Sequence, residues 1–118
     1  MAGLVDAGKN LLLEGLADGV TFVSLHTADP STGGTSEVSG GAYTREAITW
    51  DTAASASVST SASIVFDVPG STTITHLGYW SASTAGTFYG SRALDTNQTF
   101  ATAGTYTIAT GNITESIT

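Results

Sequence analysis

The sequence contains no cysteine, two prolines and only three basic residues. Without cysteine there is no disulfide framework, no thiolate nucleophile and no thiolate metal site. Ten acidic residues against three basic ones give a net charge of −7, and Lys and Arg form no run. Because binding to nucleic acid or to an anionic membrane surface requires clustered cations, we expect neither as a partner.

Charged residues of either sign are also scarce, at 11% of the chain, against roughly 25% in a typical soluble domain. Ser, Thr, Ala and Gly instead make up more than half of the sequence, and 41% of the residues are hydrophobic. This composition indicates a folded chain and not a disordered one. A surface with so few charges is poorly protected against association, which favours a subunit of an assembly over a free monomer.

Long apolar runs are absent as well. No stretch approaches the roughly 18 apolar residues of a transmembrane helix, and the first residues carry no basic segment of a signal peptide. We therefore expect a protein made in a cytoplasm and used there, or released from it by lysis. The length of 118 residues fits one domain. We predict a single domain over 1–118, with an N-terminal arm and helix over 1–19 and a β-sandwich over 20–118.

Residues 4–18 show helical spacing, because apolar side chains such as Leu4 and Leu12 fall near one face. Interior glycines make this helix marginal in isolation, so packing must hold it. At its end, Gly19 is suited to a left-handed cap.

The rest of the chain has the pattern of short strands separated by turn residues. The predicted strands lie at 20–28, 43–50, 61–68, 73–81, 87–93, 98–101, 105–110 and 112–117. About seven or eight strands preceded by one helix predict an all-β fold built from antiparallel sheets, a sandwich or a barrel. The residues themselves do not discriminate between immunoglobulin-like, barrel and jelly-roll topologies, although the long polar loop at 31–42 suits a crossover between sheets.

Candidate catalytic residues are few. His26 and His76 are the two histidines, and serine is abundant, so a Ser, His, Asp set could be assembled on paper. No G-x-S-x-G motif or other nucleophile-positioning motif accompanies them. We interpret both histidines as half-buried structural residues and predict no catalytic site; a small hydrolase would instead need a deep cleft holding one of them beside a serine.

A metal site could be built from His26 and Asp29, with His76 as a third ligand if the strands are neighbours. The carboxylates are scattered, however, and no dense ligand motif or calcium loop is present. We predict no metal and no cofactor.

The aromatic residues Trp50, Tyr79, Trp80, Phe88 and Tyr89 could form a carbohydrate-stacking platform, but aromatic residues in strands more often belong to a core. Adjacent strand residues point to opposite faces. In the pairs Tyr79–Trp80 and Phe88–Tyr89, we therefore expect one ring in the core and the other exposed or in contact with another subunit.

Arg45 and Arg92 lie in predicted strands among acidic residues. An Arg45–carboxylate pair could hold the 31–42 loop in place, or either arginine could contact an acidic patch of a partner, and the sequence leaves both open. The candidate interface residues are Leu4, Val5, Trp50, Tyr79, Tyr89, Arg45 and Arg92.

Four segments occur in a characteristic order: VSLHTADPSTGG, SEVSGGAYTREAITW, TTITHLGYWSASTAGTFYGSRAL and TFATAGTYTIATGNIT. This order resembles a family of small virion proteins of tailed bacteriophages, often labelled tail-fibre-like. The resemblance covers nearly the whole chain, and the stretch from Glu37 to Glu46 is its most specific part. It implies a structural role in the virion and transfers no catalytic residues.

Members of such families resemble jelly-roll decoration, or cement, proteins of icosahedral phage heads. The resemblance therefore implies a jelly-roll-like sandwich that forms a homodimer or homotrimer, binds the major capsid protein on the capsid surface and stabilises the shell by bridging its subunits. Before assembly such a protein would lie in the host cytoplasm, and the N-terminal helix could act as a clamp. The alternative is a tail or fibre module that recognises a host surface receptor or glycan.

Overall fold

A computed structural model describes residues 3–118, in which one helix precedes eight strands. The elements are α1 (Asp6–Gly19), β1 (Phe22–His26), β2 (Glu46–Ala47), β3 (Ser57–Ser59), β4 (Ile64–Val68), β5 (Thr72–Trp80), β6 (Phe88–Phe100), β7 (Gly104–Ile108) and β8 (Thr114–Ser116). The paired strands are antiparallel. The predicted class, an all-β antiparallel sandwich with one N-terminal helix, is confirmed.

The strand pairing is nested along the chain. Strands β2, β1, β5 and β6 form a four-stranded sheet in that order, while β4 pairs with β7 and β3 pairs with β8. The β5–β6 pair is thus enclosed in sequence by β4–β7, which is enclosed by β3–β8. A long antiparallel hairpin wrapped on itself produces this order, as in a jelly-roll-like sandwich.

The aliphatic core lies on one face of the β1–β5 pair. Val23 and Leu25 of β1 stand opposite Tyr79 and Leu77 of β5, and Phe66 of β4 is wholly buried in the same cluster. Period two places Val23 and Leu25 of β1, and Leu77 and Tyr79 of β5, on this core face.

The strands differ from the prediction in two places. No strand is predicted at 57–59, where β3 forms, because this segment offers only one apolar side chain. The strands predicted at 87–93 and 98–101 are one strand, β6, whose residues 94–97 bulge opposite Thr75 alone. The polar residues of that bulge have the composition of a turn, which explains the predicted break.

The end of α1 also differs from the prediction. Gly19 is the last helical residue and has no positive φ, so the predicted left-handed cap is wrong. Val20 follows in an extended conformation, and its N–H donates to the Leu16 carbonyl at 2.8 Å. The Tyr89 ring lies beside this position, at ordinary van der Waals distance, 3.7 Å, from where a Cβ of residue 19 would be.

Candidate interaction surface

The second face of the β1–β5 pair carries polar and aromatic side chains in place of aliphatic ones. Ser24 of β1 stands opposite Gly78 of β5. His26, two residues after Ser24, and Trp80, two residues after Gly78, lie on the same face. The loop between β1 and β2 covers this face, and Ser24 and His26 are wholly buried. We call the following residues the polar cluster: Ser24, His26, Glu37, Tyr43, Arg45 and Trp80.

Arg45 is the central residue of the polar cluster. Its Nη2 and Nε donate to the two carboxylate oxygens of Glu37, each at 3.0 Å. Its Nη1 donates to the carbonyl oxygens of Ala82 and Ala85 at 3.1 and 2.9 Å, and its Cζ lies 3.6 Å from the centroid of the Trp80 ring. Of the two uses of Arg45 that the sequence leaves open, the pairing with a carboxylate is present, and Arg45 ties the long loop to the turn between β5 and β6.

Tyr43 completes the hydrogen bonds of the Glu37 carboxylate. Its hydroxyl donates to Glu37 Oε2 at 2.8 Å and accepts the N–H of Leu25 at 3.0 Å. Burial raises the pKa of the Tyr43 phenol, so it remains a donor at neutral pH. The stretch Glu37–Glu46 that carries the resemblance is thus used in folding, because its Glu, Tyr and Arg side chains bind one another.

His26 is held through both ring nitrogens. Its Nδ1 lies 2.7 Å from the Thr35 carbonyl, which can only accept, so Nδ1 carries the proton. Its Nε2 accepts from the Ser24 hydroxyl at 2.6 Å, and Ser24 accepts the indole N–H of Trp80 at 2.8 Å. Burial lowers the pKa of His26 even though the Glu37 carboxylate favours its protonation. The neutral imidazole therefore satisfies every group in this chain of hydrogen bonds.

The Ser24–His26 pair has the contact that a nucleophilic serine and its base would have. Both side chains are wholly buried, and the serine oxygen also accepts the Trp80 indole N–H. A substrate cannot reach Ser24 Oγ in this conformation. We therefore assign the pair to the stability of the fold.

The strand register would allow the metal site considered above, but the ring nitrogens of His26 are not available for it. His76 stands directly opposite His26, as that interpretation requires. Both nitrogens of His26, however, are engaged with Ser24 and Thr35. Across residues 3–118, no group of three or more His, Asp or Glu side chains is placed to hold a metal ion.

Two glycines allow the polar cluster to close. A Cβ at position 78 would lie 2.4 Å from Ser24 Oγ and 2.5 Å from His26 Nε2. A Cβ at position 34, where φ is +70°, would lie 2.6 Å from the Trp80 ring. The glycine-rich loop can therefore lie directly on the Trp80 indole, which no larger residue would permit.

Loop closure also corrects the prediction for the Tyr79–Trp80 pair. Both rings are buried, at 5% and 8% exposure, because the loop covers the face on which Trp80 stands. In the Phe88–Tyr89 pair, Phe88 packs against Trp80 with ring centroids 5.0 Å apart, and Tyr89 is exposed as expected.

A second polar group ties β5 to β8. The Tyr79 hydroxyl donates to Glu115, and Arg92 donates to the same carboxylate oxygen at 3.1 Å. Burial, together with the hydrogen bond to Glu115, raises the pKa of Tyr79. Trp50 lies edge-on to Tyr79 at a centroid distance of 6.2 Å and donates its indole N–H to the Val20 carbonyl. Tyr79 is thus buried and Trp50 is half-buried against it, and with the buried Trp80 they form no exposed stacking platform.

Helix α1 turns polar side chains toward the rest of the protein. Asn10 Oδ1 accepts the N–H of Ala56 at 2.8 Å, and Glu14 accepts the N–H of Ala53. Ala56 has a φ of 60°, which non-glycine residues seldom adopt, so the bond to Asn10 helps to hold this turn. Leu13 is the one buried residue of the helix.

No helix within residues 3–118 is long and apolar enough to span a membrane.

The outer side of α1, in contrast, is apolar. Leu11 and Val5 expose 74% and 71% of their surface, and Leu12 exposes 45%. Tyr89, at a bulge in β6, exposes 51% and lies beside the end of the helix. We call the following residues the apolar helix face: Leu4, Val5, Gly8, Leu11, Leu12, Gly15, Gly19 and Tyr89.

The predicted interface residues divide into two groups. The side chains of the first group make contacts inside the protein: Arg45, Trp50, Tyr79 and Arg92. The second group belongs to the apolar helix face: Leu4, Val5 and Tyr89. The interface role of both groups stays a prediction. Sequence reasoning missed Leu11, the most exposed large hydrophobic side chain of the described residues, because an amphipathic pattern normally assigns leucines to the buried side.

Comparison with known proteins agrees with the resemblance found in the sequence. A family model described as podophage GP4 fiber I protein gp80 matches residues 16–116. The match spans far more than half of the chain, so the chain belongs to this family of phage structural virion proteins. No curated protein matches the chain.

Proposed function

From its membership of the fiber I family, we propose that this chain is a structural, non-enzymatic subunit of a podophage virion fibre. The observation that carries the proposal is the family match, whose description names a fibre protein. The polar cluster supports it, because the side chains best suited to chemistry are buried and bonded to one another. The function would then depend on the surface of the protein and on its contacts with neighbouring subunits.

The shape of the molecule suits a repeated fibre module. Its principal extents are 48 × 26 × 23 Å, so it is about twice as long as it is wide. Ties such as Arg45–Ala82 and Tyr79–Glu115 join segments that are distant in sequence. A body held together in this way can transmit force between its ends without rearranging.

A second candidate function is capsid decoration, which the nested, jelly-roll-like pairing and the low surface charge favour. In this role the protein would bind the outer surface of the head and bridge subunits of the major capsid protein. Each copy would add interface area that must be lost before the shell can open. Many weak contacts acting together would supply the strength.

The two candidates differ in position and copy number on the particle. We would label purified particles with a gold-conjugated antibody against this chain and measure its amount relative to the major capsid protein. A fibre subunit gives label at a few sites and a small ratio. A decoration protein gives label over the whole head and a ratio near that of the capsid protein. Absence of the chain from purified particles would contradict both.

Recognition of a host glycan is a separate property that a structural fibre role does not require. Because Tyr79 and Trp80 are buried and Trp50 is half-buried edge-on to Tyr79, we expect no binding in a glycan screen. A specific saccharide that bound this chain would instead assign it to receptor recognition.

A further inference from the structure

Helix α1 buries Leu13 and packs Leu16 and Ala17 beside it, yet it also exposes a second apolar stripe. A helix on a globular protein normally buries an apolar stripe and exposes its polar side. Here Asn10 and Glu14 bond to the backbone of the 53–56 turn, while Leu11 is 74% exposed. Exposing this leucine is unfavourable in a free monomer, because its apolar surface remains in water. A partner that covers the apolar helix face would remove that cost.

The exposed stripe consists of leucine and glycine residues and carries no charge along most of its length. Leu4, Gly8, Leu11 and Gly15 follow one another at intervals of four and three residues, so they lie on one side of the helix. The two glycines leave the backbone open to close approach, and no atom would lie within 4 Å of a Cβ at Gly15. Asp18 is the acidic residue at the end of this stripe, close to the C-terminus of the helix.

An apolar pocket adjoins the C-terminal end of the stripe. Its volume is about 220 Å³, and its lining is formed by Gly15, Leu16, Gly19, Val20 and Tyr89. The same face therefore holds both projecting side chains and a recess. A surface that carries knob and recess together can pair with a copy of itself across a two-fold axis.

We propose that the apolar helix face binds the same face of a second copy, with the two α1 helices antiparallel and crossing at Leu11. In this register Val5 of each copy lies at the partner's recess beside Tyr89. Asp18 lies at the partner's first helical turn. This proposal goes beyond placement in a fibre, since it concerns the contact between copies and holds equally for a subunit on the head.

Charge complementarity selects the antiparallel arrangement. The N-terminus of α1 has no side-chain cap, and Asp6, the acidic residue of its first turn, lies on a different side of the helix from Leu4 and Leu11. Asp18 stands at the opposite end, where the helix dipole disfavours an acidic side chain. Antiparallel pairing brings the Asp18 carboxylate of each copy to the N-terminal end of the partner helix and keeps the two Asp18 carboxylates apart. Parallel pairing would place the two Asp18 carboxylates side by side.

The size of the face predicts a weak association in solution. The 14 residues of α1 span about 21 Å at 1.5 Å per residue, and a strip roughly 10 Å wide covers far less than the ~800 Å² per partner of a standard stable interface. We therefore expect dimers to be concentration-dependent when free and effective when several copies are held in one particle.

The absence of cysteine from the sequence allows a direct test by disulfide trapping. In the full-length chain, Leu11→Cys places one thiol at the proposed two-fold axis. The matched control is Val65→Cys, an exposed valine on β4 at 50% exposure. Under mild oxidation at equal concentration, we expect Leu11→Cys to form covalent dimer at least tenfold faster than Val65→Cys. Equal rates for the two variants would overturn the proposal.

The register is tested with two further variants that keep the same cysteine-free background. An equimolar mixture of Leu4→Cys and Asp18→Cys should cross-link to a mixed dimer faster than either variant alone, because the antiparallel register places these positions together. Fast homodimerisation of Leu4→Cys without the mixed product would show parallel helices and overturn the antiparallel arrangement. Thermal melting of each reduced variant confirms that the compared proteins are folded.

Discussion

The polar cluster and the apolar helix face differ in how many contacts their side chains make inside the protein. In the polar cluster, Arg45 and His26 are buried and each has its full set of partners. In the apolar helix face, Leu11 and Val5 are in water and contact little of the protein. The residues that look most like a reactive site thus serve the fold, while residues that look like an ordinary helix core are exposed to solvent.

The range of the family match separates the polar cluster from most of helix α1. Residues 16–116 include the whole polar cluster but only the last turn of α1. The stretch that gives the chain its recognisable pattern is therefore the one that closes the loop over Trp80. Residues 4–15 of the apolar helix face lie outside the matched range.

The largest effect is expected from removing the central arginine of the polar cluster. Arg45→Met leaves the Glu37 carboxylate without its ion pair and two carbonyls without donors, so we expect the free energy of unfolding to fall by about 3 kcal/mol. Arg92→Met is the matched control; because Arg92 is about one-third exposed, its loss should cost about 1 kcal/mol or less. Urea denaturation measures both. Equal losses for the two arginines would contradict the central position given to Arg45.

A pair of glycine substitutions should give changes of opposite sign in the two regions. Gly78→Ala forces a methyl group into Ser24 and His26, so we expect a loss of about 2 kcal/mol. Gly15→Ala adds a methyl group to open space on a helix, so we expect a gain of about 1 kcal/mol. Midpoints of urea unfolding at low protein concentration report both. A gain for Gly78→Ala would show that the polar cluster is loosely packed.

A smaller effect is expected from acidification. Because burial lowers the pKa of His26 below its ordinary value of 6.5, the unfolded chain binds a proton near that pH that the folded chain does not. Stability should therefore fall as the pH drops through about 6.5. Among the nearby charges, the Glu37 carboxylate raises the pKa of His26, whereas Arg45 and His76 lower it. Burial has the largest effect, so the pKa is lowered overall.

The urea midpoint at pH 7.5 and 5.5 measures this loss. His26→Gln is the control, since it should be less stable than the wild type but should lose less of its stability on acidification. A wild-type midpoint that is the same at both pH values would contradict the neutral, doubly bonded state of His26.

The smallest effect is expected in helix α1, where removal of a polar side chain should cost more stability than removal of an apolar one. Asn10→Ala removes the acceptor of the Ala56 N–H, so we expect a loss of about 1 kcal/mol. Leu11→Ala removes a side chain that contacts solvent, so the monomer should change by less than about 0.5 kcal/mol. A dilute thermal melt compares the two. A larger loss for Leu11→Ala would mean that this leucine packs against the protein.

Much of the fold could be predicted from the sequence because local alternation fixes it. Alternation predicts the short strands at 61–68 and 73–81, and β4 and β5 form there. The β6 bulge could not be predicted, because residues 94–97 have the composition of a turn and only the pairing with Thr75 keeps them in one strand. The burial of Trp80 could not be predicted either, since it depends on a loop whose closure requires Gly34 to lie on the indole.

The candidate site was predictable only in part. The Arg45–carboxylate pair follows from the position of acidic residues near an arginine, and Glu37 is the partner found. The orientation of α1 is not encoded in its leucine spacing, because Leu11 and Leu13 both fit an apolar stripe. The signal that distinguishes them is the spacing of Asn10 and Glu14, which accept backbone N–H groups of the 53–56 turn.

The most direct test of the difference between the two regions is incorporation of variant chains into phage particles. Particles would be assembled in cells that express equal amounts of tagged wild-type chain and tagged Leu11→Asp, with Val65→Asp as the control for an added charge at an exposed position. We expect Leu11→Asp to match the wild type in urea midpoint, yet to be depleted at least tenfold from purified particles, while Val65→Asp is incorporated normally. Incorporation of Leu11→Asp at the wild-type level would contradict a functional role for the apolar helix face.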